Sequence, residues 1–305
     1  MAGSEAQNLA LPSATPSSPL RIYGLVGVMV IIWSLQFIVA KQALREIPPL
    51  ALSGMRTALS SLCMLPVYFL GGRRARARWE SKDFPVLILV ALTGITINQV
   101  FYVMAVKYSS VGHSSLIMAA TPLLVLLIAV ATRQEPVTGP KLLGMIVAFA
   151  GVIWLQASHS QGGPESPIGD ISALICASAF ALSTVIGKNV MSRYGAVSIA
   201  TFTNLFGALC LLPFTFFSKM NISAISAGAW WGVAYMGVLG GAVGYLIYYY
   251  ALARLPSSRL AMYAYIQPIL ATLAAFLLLS EPVTLTMLAA GMLVLTGVRI
   301  SGLRA

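Results

Sequence analysis

Charge is what this 305-residue chain has least of. Asp, Glu, Lys and Arg make up 9% of it, against roughly 25% in soluble domains, and apolar residues make up 58%. So little charge excludes a water-soluble globule. Histidines number two and carboxylates eight, and none of the eight (Glu5, Glu46, Glu80, Asp83, Glu135, Glu165, Asp170, Glu281) lies in the core of an apolar run. Without an acidic pair or an H-E-x-x-H-like cluster, an enzyme has no catalytic set to draw on, and neither a metal site nor a cofactor is expected. Cys63, Cys176 and Cys210 fall inside apolar runs with no C-x-x-C spacing and read as packing residues.

What the chain does have is apolar stretches, at 22–40, 50–72, 84–106, 111–132, 142–158, 170–187, 196–217, 229–253, 260–279 and 283–298. Each approaches the ~20 residues that carry a helix across a bilayer. A lipid-exposed segment must satisfy its own backbone, and the alternation of a membrane barrel is missing, so the reading is an all-α integral membrane protein of ten transmembrane helices. Residues 1–19 are polar and are expected to form a disordered cytoplasmic tail. The first run lacks an A-x-A-like exit and stays as a helix.

The net charge of +11 is a matter of sidedness and gives no footing for nucleic acid. With the N-terminus in the cytoplasm, Arg21, Arg73, Arg74, Arg76, Arg78, Lys82, Arg133, Lys141, Lys188, Arg193, Arg254, Arg259, Arg299 and Arg304 face inward. Only Lys41, Arg45, Lys107 and Lys219 face outward, with Arg56 inside a span. That asymmetry predicts an inner-membrane protein with both termini cytoplasmic.

The tetrapeptide EPVT occurs twice, within QEPVT at 134–138 and SEPVT at 280–284. The same displacement of 146 residues lays Gly94 on Gly240, Tyr102 on Tyr248, Pro122 on Pro268 and Gly151 on Gly297. A displacement of 147 lays WSLQFIVAK (33–41) on FALSTVIGK (180–188). Two five-helix repeats follow, 20–157 and 170–303, joined by an external linker at 158–169. Five being odd, the second enters the membrane from the opposite side, so the repeats are inverted. Inverted repeats place a transporter's substrate near the midplane between the halves. EPVT itself reads as turn punctuation, its Pro ending one helix and its Thr capping the next.

The W-S-x-x-F-x-x-x-K pattern from Trp33 to Lys41, Y-x-x-A at Tyr102 and Tyr248, Pro122 and Pro268, and the paired Glu-Pro closing the fourth and ninth helices resemble the EamA-like branch of the drug/metabolite transporter superfamily. The resemblance runs from 20 to 303. It implies movement of small metabolites, amino acids among them. The function expected is therefore an exporter of small metabolites or amphipathic compounds by alternating access, with a small-molecule substrate and the lipid bilayer as its partners. A channel, or a sensory or scaffold protein, remains the alternative.

Polar residues within spans are costly in hydrocarbon and turn toward a cavity or a neighbouring helix. They include Gln36, Arg56, Asn98, Gln99, Thr121, Ser178, Ser183, Asn204 and Gln267, and aromatic residues cluster around them. The expected substrate site comprises Trp33, Gln36, Arg56, Asn98, Tyr102, Asn204, Tyr245, Tyr249 and Gln267, with hinges at Pro122 and Pro268. Arg56 either snorkels outward or offers a fixed charge to a substrate carboxylate. Lys41 and Lys188 read as interfacial anchors. No span core offers a carboxylate to carry a coupling proton, so exchange or facilitated transport is expected.

Overall fold

The computed structural model describes residues 19–70, 79–109, 111–157, 166–218, 220–279 and 284–302. Residues 1–18 of the expected tail, most of the expected linker, and 281–283 of the second EPVT copy lie outside them, and Pro19, expected in the tail, begins the first helix. Every element described is helical. The rods are α1 (Pro19–Ala43), α2 (Pro49–Leu70), α3 (Ser81–Tyr108), α4 (Val111–Met118 and Thr121–Ala131), α5 (Gly139–Ala157), α6 (Pro167–Tyr194), α7 (Ala196–Phe217), α8 (Ala227–Leu252), α9 (Ser257–Met262, then Ile266–Leu279) and α10 (Leu285–Gly302). Among the described residues, seven helices are long and apolar enough to cross a membrane. Gly139–Leu155 and Leu285–Ser301 are apolar but shorter. Large apolar side chains such as Leu62, Phe69, Leu127, Leu209, Phe217 and Met292 point outward, the reverse of a protein folded in water. The chain is a multi-pass membrane protein.

The halves interlock. α1 packs on α8 and α9, and α6 packs on α3 and α4. Long crossings also join α2 to α7 and α5 to α10. Glycine makes the second of these possible. A Cβ built on Gly297 would lie 2.3 Å from the Ala148 nitrogen, and one on Gly144 would lie 2.5 Å from the Gly297 oxygen. α2 and α7 are themselves offset by 147 residues, each with an internal proline, Pro66 and Pro213.

Two irregularities recur at matched places. α3 and α8 each contain a π-helical stretch, Leu92–Ile97 and Tyr235–Val243. α4 and α9 each break near the middle, at 119–120 and at Tyr263–Tyr265. Pro122 and Pro268 stand in the first turn after these breaks, where a missing backbone N–H costs nothing. The expected hinge prolines thus start the second segment of each broken rod.

Candidate functional site

A cavity of about 110 Å³ opens at mid-depth between α1, α3, α4, α6, α8 and α9. Eight of its fourteen lining residues are four pairs related by the internal repeat: Trp33 with Phe180, Gln99 with Tyr245, Met118 with Ala264, and Thr121 with Gln267. Two of these pairs touch. The Trp33 and Phe180 rings stand 5.9 Å apart edge to face, and Gln99 Nε2 donates to the Tyr245 hydroxyl at 3.0 Å. The cavity lies where one half meets its counterpart.

The π stretches hold two residues of its wall, Trp33 and Tyr245, in place. Wider turns disturb the i→i−4 ladder and turn carbonyls toward other donors. Gly240 O, in the second stretch, accepts from Trp33 Nε1 at 3.0 Å, and its repeat counterpart Gly94 O accepts from the Tyr245 hydroxyl at 3.1 Å. Both positions need glycine for close approach. A Cβ on Gly240 would lie 1.9 Å from Gln36 Oε1, and one on Gly94 would lie 2.5 Å from Ser183 Oγ. The lining rings of Trp33, Phe180 and Tyr245 continue into Tyr248 and Tyr249 behind the wall as one aromatic layer, with ring centroids 5.1 to 6.3 Å apart.

Of the nine expected site residues, Trp33, Gln36, Asn98, Tyr102, Tyr245 and Gln267 line the cavity together. The other three lie behind its wall. Tyr249 bonds Thr203 Oγ1 at 3.3 Å, and Asn204 joins α2 to α7 by accepting from Ser60 Oγ at 2.8 Å. Arg56 is 2% exposed, its guanidinium 5.5 Å from the centre of the Tyr102 ring. Gln99 and Thr121 also line it, as do Phe37, Met118, Ala177, Phe180 and Ala264, whose apolar side chains taken alone carried no signal that separates wall from core. Cys176, read as packing, lines the cavity and its carbonyl accepts from Asn98 Nδ2 at 3.2 Å. Phe180 was recoverable as the repeat counterpart of Trp33.

Both expected interfacial lysines are helix caps. Lys41 Nζ donates to the Val106 and Ser109 carbonyls at the end of α3, at 2.7 Å each, and Lys188 Nζ donates to the Leu252 and Leu255 carbonyls at the end of α8. A cation there satisfies orphaned carbonyls and opposes the helix dipole. Glu135 likewise does more than punctuate a turn. It pairs with Lys141 and accepts from the Ser258 N–H (3.2 Å) and hydroxyl, tying the α4–α5 loop to the start of α9. Burial pushes its carboxyl upward, but the bonds from Lys141 and Ser258 outweigh that and hold it below the usual carboxylate value. At the opposite end Glu46 accepts from the Ser226 N–H at 2.6 Å and hydroxyl at 2.7 Å, which hold it low too. Thr284 caps α10 by accepting from the Met287 N–H at 3.3 Å.

The model of the EamA-like transporter family matches residues 20–156 and again 167–303. An "Uncharacterized transporter" of Archaeoglobus fulgidus is 27% identical over 275 residues, covering 90% of this chain and 96% of the relative. A "Probable amino-acid metabolite efflux pump" of Escherichia coli K12 is 25% identical over 291 residues, covering 90% and 93%. A crystal structure shares the fold with a TM-score of 0.77 at 18% identity, over 93% of this chain and 97% of that one.

Proposed function

This chain belongs to the EamA-like transporter family, and from that premise we propose that it is a carrier that moves small metabolites or amphipathic compounds by alternating access. The observation that carries the reading is the repeat-paired lining: a cavity on the axis between two like halves is a place that rocking of one half against the other exposes to either side in turn. In this reading ten helices span the membrane as two inverted repeats, 20–157 and 170–303, with an external linker at 158–169 and both termini in the cytoplasm of an inner-membrane protein. Trp33, Gln36, Asn98, Tyr102, Tyr245 and Gln267 contact the substrate, with Tyr249 and Asn204 holding them from behind and the breaks at Pro122 and Pro268 as hinges. The relative's name supports export and a substrate of metabolite size.

Neither a carboxylate nor a histidine is among the lining residues, which favours exchange or facilitated transport over proton coupling. Flux of an amphipathic metabolite panel into liposomes tests the carrier reading. Saturation with concentration is expected; flux linear in concentration would indicate a channel, and no flux a scaffold. Accumulation that collapses with an imposed pH gradient would refute the exchange mechanism.

A further inference from the structure

We propose that Arg56 anchors a carboxylate subsite opening from the cavity behind Tyr102, so that the molecules bound include small organic carboxylates. Arg56 sits well inside α2 and is 2% exposed, so its guanidinium does not snorkel to the surface. Neither terminal nitrogen has a hydrogen-bond partner, and among the described residues no carboxylate pairs with it. A buried cation in that state is costly in a membrane interior. Its neighbour is the Tyr102 ring, 5.5 Å away. The Tyr102 hydroxyl makes no hydrogen bond of ordinary geometry; the Gln36 amide faces it in a weaker contact, and Gln36 Oε1 is itself unmatched. Tyr102 and Gln36 both line the cavity. Three polar groups, at most weakly joined to one another, therefore run from the cavity wall to the buried charge.

The second half shows that the fold does not require them. The repeat counterparts of Gln36, Arg56 and Tyr102 are Ser183, Thr203 and Tyr248. Tyr248 bonds Thr184, and Thr203 bonds Tyr249 and the Ile199 carbonyl. Where the second half has closed, neutral pairs, the first half holds an open, cationic set. A guanidinium fork fits a carboxylate in two parallel bonds. A modest side-chain rotation of Tyr102 would uncover it, and the rings of Trp33, Phe37, Phe180 and Tyr245 suit an aromatic or branched body.

The assignment rests on the reading of the cavity as a substrate site, and binding tests it apart from flux. Full-length protein in nanodiscs is titrated with phenylacetate, with phenylacetamide and with chloride, by calorimetry and thermal melting. Phenylacetate is expected to bind at least about tenfold more tightly than its amide, the gain of a charge-assisted pair. Arg56→Gln is expected to erase that preference, Arg56→Lys to retain part of it, and Arg56→Gln without ligand to melt no lower than wild type, because a buried uncompensated charge is gone. Equal binding of acid and amide, binding of neither, or an Arg56→Gln protein that melts lower or fails to fold would overturn the assignment. A chloride effect to which phenylacetate adds nothing would also overturn it, revealing a resident inorganic ion. Failure here with saturable flux intact removes only the carboxylate class; loss of saturable flux with the acid preference intact removes only the carrier reading.

Discussion

Lys41 and Lys188 do the same work in the two halves of the chain, whereas Gln36, Arg56 and Tyr102 have no functional double in Ser183, Thr203 and Tyr248. The lysines each cap the last carbonyls of the third helix of their own half. The matched glycine carbonyls, Gly94 and Gly240, each receive an aromatic donor. Where both halves keep one device, the physical need is shared: a helix end to satisfy, a close crossing to permit. Where they part, the shared fold has imposed nothing, and the difference is free to serve a ligand that is not itself symmetric. A pocket on a pseudo-two-fold axis would otherwise offer the same groups twice. This one offers its unmatched groups on one side.

The α5–α10 crossing tests the equivalence most severely. Gly151 and Gly297 are repeat counterparts, yet a Cβ on Gly297 meets the Ala148 backbone nitrogen at 2.3 Å, whereas one on Gly151 meets the Val294 backbone nitrogen only at 2.8 Å. Gly297→Leu is expected to cost more than about 3 kcal/mol and abolish monodisperse protein on size exclusion, and Gly151→Leu to cost less. Equal yields would show that the crossing adjusts as a unit. Next come the caps. Lys41→Met and Lys188→Met each strand two carbonyls, at about 1–3 kcal/mol apiece, so their melting temperatures should fall together; a wide gap would break the correspondence.

The tyrosines should behave differently. Tyr248→Phe loses the bond to Thr184 and should destabilise by about 1 kcal/mol, while Tyr102→Phe, losing only a weak contact with the Gln36 amide, should lower the melting temperature less and alter phenylacetate binding. Equal destabilisation would mean that Tyr102 is structural. The smallest effect is that of pH. Glu135 and Glu46 titrate below the ordinary carboxylate value of 4.5 in the folded chain. Their contribution is thus complete above that value and is lost as pH falls below it. Melting temperature should hold from neutrality to about pH 5 and then decline, and less steeply in Glu135→Gln.

Hydropathy and the displacement of 146 to 147 residues made much of the architecture legible, because covering a bilayer leaves a period that a one-dimensional reading detects. Trp33, Gln36, Asn98, Tyr102, Tyr245 and Gln267 were recognisable for a related reason: polar or amphipathic groups at mid-span have nowhere to go but a cavity or a neighbour. Asn204 and Tyr249 belong to the same chemical types but turn toward the α2–α7 seam and the packed layer behind the cavity, and Arg56 stands behind the Tyr102 ring. Which face of a rod meets which neighbour depends on ring pairs and glycine crossings between distant segments, and hydropathy does not carry that. The lysines show the limit plainly. Their matched positions were visible, but their purpose depended on the distance from Lys41 to Val106, residues separated by 65 positions.

The π stretches at Leu92–Ile97 and Tyr235–Val243 are, in mechanical language, dislocations. Each stores roughly one residue beyond what a regular ladder uses, and so rotates everything downstream by about one residue's turn. The consequence falls on insertions and deletions. Removing a residue elsewhere in α3 or α8 would swing Asn98, Tyr102 or Tyr245 off the cavity. Removing one from within a stretch would let the ladder heal to i→i−4 while the flanks kept their bearings. These two places are where such a rod can change length and still aim its side chains.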